Sequence, residues 1–274
     1  MIIAIDTGGT KTLIVGFDAD GVEQHIAKFP TPRDPDEYLD AVTSAITEAV
    51  DPSTIDVISV AVPGPIYDGQ LLRAKNIGDK WQNIDMAVLF GERFPEARVV
   101  VANDADLAGL SEARALDTPP AVNLYVTLST GVGTGLAFDG HLAEATSHFE
   151  GGWMRLHFEG RPQMWEDFAS GRSFHDRYGQ YGSEVDDPEK WRDFAYRAST
   201  GLIVLIPMLG PDHIVIGGSM GTHFAKYANF LRDEIAKALP DFDTSRITQA
   251  KHPEEAVIYG CYYYAIDQLA LAAA

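Results

Sequence analysis

The sequence predicts an α/β fold on three observations. Short apolar runs alternate with segments of helical periodicity along most of the chain. Several of these runs are buried-strand patterns stopped by glycine or proline, such as "DVISVAV" before Pro63-Gly64-Pro65 and "HIVIGG" at residues 213–218. A strand, a glycine-rich turn and a second strand occur twice, in "MIIAIDTGGTKTLIVGFDADG" and in "AVNLYVTLSTGVGTGLAFDG". Both copies carry a [Ser/Asp]-Thr-Gly step and close on Phe-Asp. They read as an internal duplication of a β-hairpin that opens each half of the molecule.

The elements follow in order. Residues 2–5 and 13–17 are strands joined by "DTGGTKT", and a third strand is expected at 24–29. Residues 34–50 carry Tyr38, Ala41, Val42, Ala45, Ile46 and Ala49 at helical spacing. A strand at 56–62, a helix at 86–94 and a strand at 98–102 come next. That strand feeds "NDADLAGLSEARAL", a helix with carboxylates in its first turn, as the helix dipole favours. The second hairpin fills 121–140. Helices are expected at 165–178 and 188–208, then a strand at 213–218 and a helix to residue 239. A strand at 245–250 and a helix at 254–271 complete the chain. The domain boundary is placed between a small N-terminal α/β domain, 1–107, and a larger C-terminal one, 108–274.

Hydrophobic residues make up 46% of the 274, enough to build a core at this length. No apolar run approaches the roughly 20 residues that cross a bilayer. No basic segment followed by an apolar stretch opens the sequence, so no secretion signal is expected. The single cysteine, Cys261, excludes an intramolecular disulfide and a cysteine-cluster zinc site. A cytoplasmic location is expected from these features. The formal net charge of −19 opposes nucleic acids and anionic lipid surfaces, so neither is an expected partner. It also means that an anionic substrate needs a local device to overcome the field.

The two hairpin tips are candidates for that device. Glycine lets backbone N–H groups converge on phosphate oxygens, and the threonine hydroxyls add donors. Neither tip fits the P-loop pattern. Neither fits the dinucleotide fingerprint, because each joins strand to strand. A single glycine-rich turn is most often just a tight turn; two related ones carry more weight. Asp6 ends a buried strand beside the first tip, where a carboxylate suits a hydrated Mg²⁺ or simply caps the turn. Asp104 follows Asn103 where strand meets helix, placed to accept a hydroxyl proton or to cap the helix. "FEGGW", residues 149–153, puts two glycines between a carboxylate and a tryptophan, which suggests backbone held close to something polar.

"AIDTGGTKT", "VPGPIYDG", "NIGDKW", "VANDADLAGLSEA", "TLSTGVGTGLAFDGHL", "WEDFASGRSF" and "IVIGGSMG" occur in this order. The set resembles the ROK family of sugar kinases, glucokinase-like, over nearly the whole chain. "NDADLAGLSEA" with "LSTGVGTGLAFDG" looks especially like the short polyphosphate/ATP glucokinases. The resemblance implies an actin-like/hexokinase-like ATPase fold with two α/β domains and a cleft between them, the last helix packing back on the first domain. It implies ATP and Mg²⁺ as cofactors, a sugar substrate and a homodimer. Thr7, Gly8, Gly9, Thr10 and Lys11 would form the first phosphate loop, with Asp6 serving Mg²⁺ through water. Ser129, Thr130, Gly131 and Gly133 would form the second, and Gly217 and Gly218 would lie against adenosine. Asp104 would be the general base. Asn76, Asn103, Glu150 and Glu166 would hydrogen-bond the sugar.

Trp153 departs from the family pattern, which usually reads Glu-x-Gly-His-Met where this chain has "EGGWM". The cysteine run that supplies zinc ligands in many members is absent, so no zinc is expected. Tryptophan cannot accept a hydrogen bond but offers a flat face for stacking. Trp153 therefore either meets the sugar by shape or packs between domains. Alternatively His148 or His157 takes over the missing histidine's role. The expected function is an ATP-dependent hexose kinase acting on the glucose 6-hydroxyl. The alternatives are a polyphosphate-dependent glucokinase, a kinase for fructose or an N-acetylhexosamine, and a non-catalytic sugar-binding protein.

Overall fold

The computed structural model describes residues 1–67, 70–252 and 255–273, with Glu144 and Ala273 in their backbone only. Asp68 and Gly69 of "VPGPIYDG", and Glu254, where the sequence starts its last helix, lie outside the described residues. The chain opens with β1 (Ile2–Thr7), β2 (Lys11–Phe17), β3 (Glu23–Pro30), α1 (Pro35–Ala49) and β4 (Val57–Val62). Then come β5 (Ile66–Tyr67), β6 (Gln70–Arg73), β7 (Gln82–Ile84), α2 (Met86–Arg93), β8 (Arg98–Asn103) and α3 (Asp104–Arg114). Next are β9 (Val122–Leu128), β10 (Val132–Phe138), β11 (Arg155–Phe158), β12 (Arg161–Met164), α4 (Trp165–Ala169) and α5 (Gly171–Tyr178). The chain closes with α6 (Pro188–Leu209), β13 (His213–Gly217), α7 (Gly218–Gly221), α8 (Phe224–Ala238), β14 (Ile247–Gln249) and α9 (Ala256–Ala273).

Two compact units emerge. The first holds Met1–Ser111, His141–His148 and Glu255–Ala274; the second holds Glu112–Gly140 and Phe149–Glu254. The sequence set its boundary at 107/108, whereas the units divide inside α3, whose Leu107 is buried in the first unit's core. Segment 141–148 also joins the first unit, which the sequence did not anticipate.

In the first unit the sheet order is β3-β2-β1-β4-β8. β1 pairs antiparallel with β2 and parallel with β4, which pairs parallel with β8. β4 is buried throughout because both faces are covered. Ile3, Ile5, Ile58 and Val60 pack with Tyr38, Val42 and Ile46 of α1. Ile2, Ala4, Val57 and Ala61 turn the other way and pack with Ile258, Cys261 and Ala265 of α9. Each buried isoleucine or valine among them contributes roughly 1.5–3 kcal/mol by leaving water. Asp34 caps α1 by accepting the Asp36 N–H at 3.0 Å, with Pro35 in the first turn.

In the second unit the order is β10-β9-β13-β14, antiparallel then parallel then parallel. This repeats β2-β1-β4-β8, so the hairpin duplication extends to the sheets. The tips differ by one residue: Thr7 pairs with Thr12 across residues 8–11, and Leu128 pairs with Val132 across residues 129–131.

Several elements differ from the sequence reading. The single helix expected at 165–178 is two, α4 and α5. Ser170 between them is extended, and its hydroxyl accepts the Ser173 N–H at 3.2 Å, a cap that competes with helix continuation. The helix after residue 218 likewise divides into α7 and α8. The hairpin β11–β12 and the small sheet β5-β6-β7 were not anticipated, being short and largely polar.

Candidate active site

The first glycine-rich tip is pinned by hydroxyls. Thr31 Oγ1 donates to Gly8 O at 2.8 Å, and the Thr31 N–H donates to Thr10 O at 3.1 Å. Thr7 is fully buried, with its hydroxyl 2.6 Å from Tyr38 Oη. These bonds leave the half-buried Gly8 and Gly9 and the exposed Thr10 and Lys11 facing outward from β1 and β2. A side-chain carbon at Gly9 would lie 2.9 Å from Asn76 O, so the tip runs against the exposed Asn76. Arg33 Nη1 fixes that segment through Asn76 O at 3.1 Å and through Ile77 O. Sequence reasoning missed Thr31, Tyr38 and Arg33, because each acts across the fold and no local pattern marks it.

Asp6, Asn103 and Asp104 sit at the ends of β1 and β8 and the start of α3. Asn103 is buried at 7% exposure, and its side chain is largely committed. Its Oδ1 accepts the Ala105 N–H at 2.7 Å and the Asp106 N–H at 3.2 Å, and its Nδ2 donates to Gly64 O at 3.0 Å. One Nδ2 proton remains for a ligand. Since Asn103 caps the helix, Asp104 is released from that job. Asp104 Oδ1 accepts the Ala105 N–H at 2.8 Å. Burial pushes the Asp104 carboxyl up to about 6, although backbone N–H groups at the helix start pull it down. Burial pushes Asp6 up to about 7, with repulsion from Asp104 adding to it and Lys28 opposing. Two raised carboxyls beside one another suit one role for a cation and one for a proton.

In the second unit Ser129 and Gly131 are half-buried and Thr130 is exposed; half-buried Gly133 pairs with Thr127 in the hairpin. The Gly171 N–H, at the start of α5, donates to Ser129 O at 2.6 Å. This brings the α5 N-terminus to the second tip, an arrangement that favours anions. Gly217 ends β13, buried, and Gly218 opens α7 at φ 75°. A cavity of about 480 Å³ lies here, lined by Thr130, Arg172, His175, Tyr181, Met220 and His223 among others. Among the described residues that line it there is no carboxylate, in a chain with 40 acidic residues. The His175 and Tyr181 rings lie 4.4 Å apart and form an aromatic wall. Beyond Ser129 and Thr130, this cavity was not legible in the sequence, because its walls come from segments far apart in the chain.

"FEGGW" is a tight turn pressed on β10. The Gly151 N–H donates to Thr134 Oγ1 at 2.8 Å, and a side-chain carbon at Gly152 would lie 1.8 Å from Val132 O. Only glycine permits that approach. The turn leaves Glu150 and Trp153 half-buried at its two ends. Glu166, half-buried in the first turn of α4, lies against the second tip: a side-chain carbon at Gly131 would meet Glu166 Oε2 at 2.6 Å. His148 and His157 are exposed. Among the described residues, no group of three or more His, Cys, Asp or Glu is placed to hold a metal ion, and no helix is long and apolar enough to cross a membrane.

The family model described as the ROK family matches residues 2–268. The N-acetyl-D-glucosamine kinase of Escherichia coli strain K12 is 28% identical, the match covering 96% of this chain and 98% of that protein. Among solved structures, the inorganic polyphosphate/ATP-glucomannokinase of Arthrobacter sp. strain KM is 25% identical, with a TM-score of 0.72 over 97% of this chain and 98% of that one. A ROK family glucokinase from Streptomyces griseus in complex with glucose and AMPPNP is 22% identical, with a TM-score of 0.77 over 95% and 97%. This last likeness bears on the fold alone.

Proposed function

The chain belongs to the ROK family and has the actin-like ATPase fold, and from that premise we propose that it is an ATP-dependent kinase of a hexose hydroxyl. The observation that carries the reading is the pair of raised carboxyls, Asp6 and Asp104, in the unit that holds the first glycine-rich tip. Asp104 takes the proton of the attacking sugar hydroxyl at Oδ2, since Oδ1 is engaged by the Ala105 N–H. Asp6 fits a divalent cation, because its carboxyl is held up by burial and by a like charge that a cation would relieve. Mg²⁺ held through Asp6 would neutralise charge on the transferring phosphoryl group.

Glycine-rich backbone at Gly8 and Gly9, with Thr10 and Lys11, and at Ser129, Thr130 and Gly131, orients phosphates. The sugar's hydroxyls are assigned to Asn76, the remaining Asn103 proton, Glu150 and Glu166, with Trp153 offering a face. The acceptor we favour is the 6-hydroxyl of glucose. An N-acetylhexosamine is the second reading, favoured by the match to the Escherichia coli kinase over 96% of the chain.

The cavity supports ATP over polyphosphate as donor. A polyanion without a base needs a cationic path, whereas the wall here is aromatic and Arg172 is the one arginine or lysine among the lining residues described. In one coupled assay ATP should give the faster turnover, by about tenfold or more in kcat/KM. Equal or faster turnover with polyphosphate would remove ATP as the preferred donor.

A further inference from the structure

The hairpin β11–β12 joins two segments of the proposed sugar site, with Trp153 just before it and Glu166 just after. Its ladder is short, from Arg155–Met164 to Phe158–Arg161, and such a hairpin is marginal alone. Its base is closed by the Trp165 N–H donating to Met154 O at 2.9 Å. Several contacts around its tip and the end of α4 meet at Arg197 of α6, which is 4% exposed. Arg197 Nη1 donates to Phe168 O, at the end of α4, at 3.2 Å. Arg197 O accepts the Trp165 indole N–H at 3.3 Å. The guanidinium lies 5.9 Å over the Phe158 ring, which stacks on Phe168 at 4.1 Å with planes 2° apart. Arg197 Nε is 2.9 Å from Asp193 Oδ2, and Nη2 is 4.0 Å from Glu159 Oε1 at the hairpin tip. Arg177 bridges the same two acids at 3.2 and 3.4 Å, and Tyr178 Oη donates to Asp193.

Burying an arginine costs desolvation that its partners rarely return in full, so stability alone is a poor reason to place one here. Fixing a position is a better one. The geometry points to Arg197 as a positioning residue of the sugar site, one that ties hairpin, α4 and α6 together and so holds Trp153 and Glu166 in fixed relation. This rests on the assignment of those two residues to the sugar.

The test uses the full chain with Arg197→Met, Arg197→Lys and Glu159→Gln. Sugar KM should rise about tenfold or more in Arg197→Met with ATP KM nearly unchanged, since small misplacements of contact groups are costly. Arg197→Lys should recover part of the loss. A second readout needs no sugar. Trp81, Trp165 and Trp191 are at most 1% exposed, so acrylamide quenching of tryptophan fluorescence reports mainly on half-buried Trp153. Quenching should increase in Arg197→Met. A lower melting temperature with unchanged quenching and equal changes in both KM values would overturn the proposal, leaving Arg197 a stabilising residue only. Should Arg197→Met fail to fold, Glu159→Gln at its 57%-exposed site must show the same pattern at smaller size, and its absence overturns the proposal. If the wild type neither binds nor phosphorylates any hexose, the kinase reading fails, while the quenching result still decides whether Arg197 holds Trp153.

Discussion

Asp104→Asn is expected to lower hexose turnover by about 10³-fold while leaving nucleotide affinity within about twofold, as for removal of a general base. The substitution is close to isosteric, and its amide oxygen can still accept the Ala105 N–H that Asp104 Oδ1 accepts. Helix α3 keeps its cap because that job belongs to Asn103. What is lost is the ability to take a proton. The wild-type pH profile should agree: the working form is the carboxylate, and its carboxyl is raised to about 6. Turnover should therefore fall as pH drops through about 6 and level off above it. Steady-state kinetics across pH, with nucleotide binding by calorimetry, checks both. Retained turnover in the variant would remove Asp104 as the base.

Asp6→Asn should abolish most activity and yet stabilise the metal-free chain at alkaline pH. Burial raises the folded-state carboxyl to about 7, well above the usual carboxylate range. The folded chain thus holds a proton that the unfolded chain releases. That contribution to stability is fully present below about pH 4 and is lost as pH rises through about 7. Without Mg²⁺ at pH 8, the asparagine variant should be more stable by on the order of a few kcal/mol, and the difference should vanish near pH 4. Added Mg²⁺ should raise the wild-type melting temperature at pH 8 and leave the variant unchanged. A variant that is less stable than wild type at pH 8 would contradict the account of Asp6 as a buried, uncompensated acid.

What was legible in the sequence was mostly local. The hairpin tips could be read because turn chemistry is written in adjacent residues, and α1 because Tyr38, Val42 and Ile46 repeat at helical spacing over a buried face. Glu150 and Glu166 were singled out by resemblance alone, and the packing around them was not legible. Gly151 and Gly152 are small because β10 runs against them, a partner more than ten residues upstream. β11 and β12 were invisible because their stability comes from Phe168, Asp193 and Arg197, not from strand propensity. Asn103 shows the limit of reading a motif as a set of ligands, since most of its side chain is occupied in capping α3 and holding Gly64. The net charge of −19 posed a problem for any anionic substrate, and the folded chain adds to the hairpin tips a cavity bordered by Arg172 and the α5 N-terminus, with no acid among its described lining residues.

The most direct measurement is ADP release with ATP and Mg²⁺ across a panel of hexoses, N-acetylhexosamines and fructose, with the sugar phosphate identified by mass spectrometry. The expected result is ADP release that depends on at least one sugar, in equal amount with its monophosphate, and glucose 6-phosphate as the leading product. Sugar binding by calorimetry with no sugar-dependent ADP release for any member of the panel would contradict catalysis and leave a sugar-binding protein.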